Sequence, residues 1–111
     1  MAEKLKEYSV AVTRTAEDDL DDIISYIAND NVPIALKILD KLQKAINSLK
    51  QFPERGRRVP ELLDKNIKEY RELIEAPWRI IYKIENNDVN IITVIDGRRN
   101  VQDILTKKLI K

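Results

Sequence analysis

The 111-residue sequence contains no cysteine and no histidine. Without cysteine there is no disulfide framework, no thiol nucleophile and no cysteine-held metal or iron–sulfur centre. The missing histidine removes the commonest general acid–base and the commonest metal ligand, and with them Ser–His–Asp hydrolysis and imidazole-bound zinc. Two glycines are too few for a multi-glycine phosphate loop. No apolar run approaches the length of a membrane span, and Met1-Ala2-Glu3-Lys4-Leu5-Lys6 lacks the character of a secretory leader. A soluble cytoplasmic protein without cofactor or metal is therefore expected. What remains is binding, or chemistry done with Lys, Arg, Asp, Glu and Tyr.

Apolar residues make up 43% and charged residues 35%, which describes one small domain over residues 1–111 with a heavily charged surface. A chain of this size buries roughly 65% of its unfolded surface, enough for one modest core. Residues 1–6 read as a frayed lead. The net charge of +1 conceals a split: residues 1–54 carry 7 basic and 10 acidic side chains, residues 55–111 carry 13 and 9. A near-balanced total argues against a bulk nucleic-acid coat, while a local basic site in the second half is allowed.

Periodicity divides the chain. Residues 8–13 alternate and are β-branched at Val10, Val12 and Thr13, the pattern of a strand. Thr15 reads as the cap of a helix reaching Asn29, with Asp18 positioned for a capping-box contact. Ala16, Leu20, Ile23, Ile24 and Ile27 form its apolar stripe. A second helix, capped by Asp30 or Asn31 with Pro33 in its first turn, runs to about Phe52. The short connection implies an antiparallel helical hairpin. A basic loop follows, Glu54-Arg55-Gly56-Arg57-Arg58-Val59-Pro60. Strands are expected over 69–75, 78–84 and 89–95, with Asn86-Asn87 or Asn87-Asp88 as the last hairpin turn. Residues 89–95 are apolar on both faces, the signature of an interior strand. A short helix with Val101, Ile104, Leu105 and Leu109 closes the chain. The order β-α-α-β-β-β(-α) predicts an α+β fold, a helical hairpin on a mostly antiparallel four-stranded sheet. With one further short helix available, the sheet's other face is expected to be concave or partly open.

Three groups of side chains are candidates for function. The first is Arg57, Arg58, Arg71, Arg79, Lys83, Arg98 and Arg99. Guanidinium presents forked donors to phosphate or carboxylate. Arg79 and Lys83 share a strand face, and Arg71 and Arg79 converge if their strands are neighbours. Against this stands the common fate of such residues, surface pairing with Glu69, Glu72, Glu75 or Asp96. The second is the acidic run from Glu17 to Asp22, which complements the helix dipole better than it gathers a metal, because it spreads around the helix. The third is Trp78, Tyr82 and Tyr70 as a base-stacking platform. With aromatics at only 5%, core packing is the commoner role.

The segment Phe52-Pro53-Glu54-Arg55-Gly56-Arg57-Arg58-Val59-Pro60-Glu61-Leu62 resembles a signature loop of the RelE/ParE superfamily, toxins of type II toxin–antitoxin modules often described as plasmid stabilisation proteins. Tyr70-Arg71-Glu72-Leu73, Trp78-Arg79-Ile80-Ile81-Tyr82 and Asp96-Gly97-Arg98-Arg99 resemble the family's three later strands in order and spacing. Ala16, Asp19, Leu20 and Tyr26 match the family's acidic first helix. The resemblance spans about residues 7–105. It implies a toxin held inactive by a cognate antitoxin that wraps over it. Two activities occur on this fold: RelE-like members cut messenger RNA in the ribosome, and ParE-like members poison DNA gyrase.

The residues favour the second. Cleavage by 2′-OH attack needs a base, an acid and a phosphate clamp. Arg71, Arg79 and Arg98 would serve as the clamp. The chain has no histidine and no tyrosine after Tyr82, and Asp96 stands where many relatives carry histidine. Lys65, Lys68, Lys83 or Lys107 would have to be the base, a role that burial gives to lysine. The Gly56-to-Glu61 loop also looks more like the ParE branch. The expectation is a ParE-like, non-nucleolytic gyrase poison. The alternatives are a ribosome-dependent endoribonuclease and a non-toxic relic that still binds antitoxin.

Overall fold

A computed structural model describes residues 7–109, so the frayed lead expected over residues 1–6 lies outside the described residues. The sheet is ordered β1-β5-β4-β3-β2. Its strands are β1 (Ser9–Val12), β2 (Arg57–Arg58), β3 (Tyr70–Glu75), β4 (Trp78–Glu85) and β5 (Asp88–Asp96). The helices are α1 (Arg14–Ala28), α2 (Val32–Ser48), the single-turn α3 (Pro60–Leu63) and α4 (Val101–Leu109). β1 runs parallel to β5, and every other pairing is antiparallel. The fold is α+β with a helical hairpin on the sheet. Among the described residues it has five strands rather than four, because Arg57 and Arg58 of the basic loop pair with Glu72 and Arg71.

Local chemistry explains the boundaries. Thr13, not Thr15, caps α1: its hydroxyl accepts from the Ala16 amide at 3.2 Å and donates to the Ile91 carbonyl at 2.8 Å. One side chain thus starts a helix and ends the parallel pairing. Asn31 caps α2 through the Ile34 amide, with Pro33 in the first turn. That helix ends at Ser48, a turn earlier than its apolar pattern suggests. Asn86 takes a φ of 57° in the two-residue turn between Glu85 and Asp88, a conformation asparagine tolerates.

The interior position of β5 explains why it is apolar on both faces. Between the β4 residues Ile81 and Tyr82 the partner steps from Thr93 to Ile91, so Ile92 bulges. The bulge switches the alternation. Val89, Ile91 and Val94 therefore pack under the helical hairpin with Leu42, Ile46, Ile80 and Tyr82. Ile95 joins Ile81 on the opposite face with Val59, Leu62, Val101 and Leu105. That second face is covered rather than open, because α3 and α4 together lay an apolar stripe over it. Among the described residues no helix is long and apolar enough to cross a membrane.

Candidate functional site

The seven basic candidates do not form one patch. Arg71 lies opposite Tyr82 across the strand pair, on the hairpin side of the sheet. Arg79 lies opposite Ile74 and alternates with Ile80, so it points to the side of α3 and α4. Arg71 and Arg79 therefore do not converge, although their strands are neighbours.

Arg79 is the inner member of a charge network. Its Nη1 and Nη2 donate to Oε2 and Oε1 of Glu61 at 2.9 and 2.7 Å, a bidentate pair. Its Nε donates to Oε1 of Glu72 at 2.7 Å. Glu72 is buried to 1% exposure, and its Oε2 accepts from Arg57 Nε at 2.7 Å. Glu61 lies in the first turn of α3, Glu72 belongs to β3 and Arg57 to β2, so the network joins three elements to β4. The bidentate hydrogen bond from Arg79 holds the Glu61 carboxyl below the usual range, and the same bond raises Arg79 further above its ordinary value. Glu72, expected as one of four surface partners, pairs with Arg79 in a buried setting instead. Glu61 is the partner missed, since only the one-turn α3 brings it over β4.

Arg58 and Arg71 are cross-strand neighbours. Arg71 Nη1 donates to the Gly56 carbonyl at 2.8 Å, and Arg58 Nη1 donates to the Lys68 carbonyl. Both staple the loop rather than gather an anion. Gly56 is required there by space. A Cβ would lie 2.5 Å from the Glu72 carbonyl and 2.5 Å from the Tyr82 hydroxyl. That hydroxyl accepts from the Gly56 amide at 3.0 Å and donates to the Pro53 carbonyl at 2.7 Å. Burial pushes the phenol up.

Tyr82 is therefore core. Trp78 packs half-buried under the hairpin, and Tyr70 joins the opposite cluster with Lys83 Nζ 5.7 Å from its ring centroid. The three aromatics form no stacking platform. Lys65, Lys68 and Lys107 are exposed and Lys83 is half-buried, so none has the buried setting a lysine base needs.

Arg98 forks onto Asp96 through Nε at 3.0 Å and Nη2 at 2.7 Å. That fork, with the Arg98 amide, draws the Asp96 carboxyl down to about 2. Arg99 lines a cleft of about 440 Å³ between α1 and α4, with Asp22, Asn100, Asp103 and Ile104. At its rim Lys108 Nζ donates to both Asp19 oxygens at 3.1 and 3.2 Å and to Thr93 Oγ1 at 2.8 Å. Asp19 Oδ2 also accepts from the Val94 amide at 3.0 Å. Beyond Ile91 β1 offers no partner, and this carboxylate closes the open edge of β5. Asp19 thus turns inward out of the acidic run. Among the described residues no group of three or more acidic side chains is gathered to hold a metal ion.

The comparisons agree with this fold. The family model "ParE toxin of type II toxin-antitoxin system, parDE" matches residues 10–101. Toxin ParE3 of Caulobacter vibrioides is 30% identical over 97 residues, covering 86% of this chain and 93% of that protein. Putative toxin Y4kP of Sinorhizobium fredii is 32% identical over 88 residues, covering 78% and 84%. A chain of the chromosomal ParDE system from P. aeruginosa superposes with a TM-score of 0.64 at 22% identity, covering 82% of this chain and 97% of that one. A chain of the RelBE2 toxin–antitoxin complex from Mycobacterium tuberculosis gives 0.55 at 20% identity, covering 86% and 97%. The arrangement is that of a RelE/ParE-superfamily toxin. Within it, the chain belongs to the ParE toxins of type II toxin–antitoxin systems.

Proposed function

We propose that this toxin arrests growth by binding and poisoning DNA gyrase, without cleaving nucleic acid, and that a cognate antitoxin neutralises it. The observation that carries this reading is the fate of the arginines. Arg79 is buried and committed to Glu61 and Glu72, Arg71 is tied to the Gly56 carbonyl, and Arg98, though exposed, carries the Asp96 carboxylate where a phosphate would have to approach. A clamp for a scissile phosphate needs forked donors not already filled by carboxylates. The acid and base for 2′-OH attack have no evident holders either, because histidine is absent and the candidate lysines are not buried. Binding through exposed arginines such as Arg57 and Arg99 needs neither.

The antitoxin half of the proposal is supported by the ParDE and RelBE2 systems whose chains share this fold. Such a partner would stabilise the toxin by mass action. Controlled induction tests the whole. The expected result is growth arrest with intact transcripts, relieved by co-expression of the cognate antitoxin. Cuts phased with codons in translated messages would assign the protein to the nuclease class instead. Normal growth at high expression would mark a harmless relic.

A further inference from the structure

Arg79 does more than neutralise two carboxylates. Its aliphatic stem runs beneath the turn that follows β5. A Cβ on Gly97 would lie 3.0 Å from Arg79 Cδ and 3.3 Å from Cγ, so the turn rests directly on this side chain. The Gly97 amide donates to the Pro77 carbonyl at 2.7 Å, which fixes the turn against the start of β4. The far end of the same side chain grips Glu61 of α3 and, through Glu72, orients Arg57 on β2. One residue therefore links, through Glu72 at one end and Gly97 at the other, the segments that carry two exposed basic groups. Arg57 has a side chain 59% exposed on one side, and Arg98 has one 75% exposed on the other. The Arg79 side chain is itself only 11% exposed and has little surface to offer a partner.

We infer that Arg79 is a positioning residue that couples α3 and the edge strand β2 to the Asp96–Arg99 turn, holding Arg57 and Arg98 as one preset surface. A close-packed stem under a glycine transmits displacement because there is no slack to absorb it. The carboxylates at the other end fix the guanidinium in angle as well as distance. A change at Glu61 is thereby felt at Gly97, which it does not touch, and a change at Gly97 is felt at α3. Coupling of this kind is reciprocal. That the preset surface serves gyrase binding rests on the reading given above; the mechanical coupling does not.

Hydrogen exchange on the purified chain tests the coupling. Glu61→Gln is nearly isosteric and leaves the apolar cores untouched. It should speed exchange of the Gly97 amide roughly tenfold, beyond any change at core amides such as Ile80. Gly97→Ala should do the same to the amide of Leu63 in α3 and of Asp64, which caps it. Ile46→Val, in the hairpin core, serves as a control for general destabilisation. If Glu61→Gln moves Gly97 no more than that control does, the coupling is refuted. In the same preparation, inhibition of gyrase should weaken non-additively for Glu61→Gln and Arg98→Ala. If the unmodified protein leaves gyrase unaffected, the target assignment fails while the exchange result still decides the coupling.

Discussion

Glu72 accepts hydrogen bonds from two arginines at once, Arg57 at 2.7 Å and Arg79 at 2.7 Å, while its own side chain has no exposure to solvent. A buried carboxylate is tolerable only when its partners stay in place. Arg79→Met should therefore destabilise the fold by about 3–5 kcal/mol, because it leaves one oxygen of that buried carboxylate unpaired and takes the arginine from Glu61 as well. Arg57→Ala should cost much less, since Arg79 still holds the other oxygen and Arg57 is largely solvated. Urea unfolding of the two variants checks the ranking.

The Tyr82 hydroxyl gives a second prediction. Tyr82→Phe leaves the Gly56 amide and the Pro53 carbonyl without this partner, at about 1–3 kcal/mol. Gly56→Ala forces a methyl against the hydroxyl and the Glu72 carbonyl, an overpacking cost of about 1–3 kcal/mol or more. The two should not add, because both act on one contact. A double-mutant cycle in thermal unfolding measures this.

Much of the architecture was legible in the sequence, and the misses have physical causes. The strand and helix order follows from periodicity, and the double-faced apolarity of residues 89–95 pointed to an interior strand. The bulge at Ile92 was not legible, because parity switches are set by cross-strand pairing. The Thr13 cap was missed because its second bond goes to Ile91, far along the chain. The Arg71–Arg79 patch failed for a simple reason. Adjacency of strands does not place two residues on one face; register does, and it opposes Arg71 to Tyr82. Glu72 and Asp96 stand among four acidic partners the sequence offers at the surface, but nothing in it marks Glu72 for burial. Glu61 was not legible as a partner, since a four-residue helix leaves no periodic signal.

Asp96 supplies the pH dependence. Its folded-state value lies near 2, below its ordinary 3.8. A depressed carboxylate adds stability above its unfolded value and loses it as pH falls through the folded one. The contribution is thus present above about pH 4 and lost towards pH 2. The pair is solvent-screened, so the effect on stability is small. Arg98→Ala should return the Asp96 carboxyl towards its ordinary value, read by carboxyl-carbon NMR titration. An unchanged titration would show that the Arg98 fork is not the cause.

Asp19 and Lys108 should differ sharply although they form one ion pair. Lys108→Ala removes a partly solvated partner and should cost about 1 kcal/mol or less. Asp19→Ala also strips the acceptor from the Val94 amide and from the buried Thr93 hydroxyl, so about 1–3 kcal/mol is expected. Exchange at the Val94 amide should accelerate only in the second variant.

The central claim is that this toxin acts by binding and not by cutting. Its most direct test is supercoiling by purified gyrase in the presence of the purified protein. Supercoiling should be lost at micromolar toxin and restored by equimolar antitoxin. Full gyrase activity under those conditions, with translated messages cleaved in a purified ribosome assay, would contradict that claim.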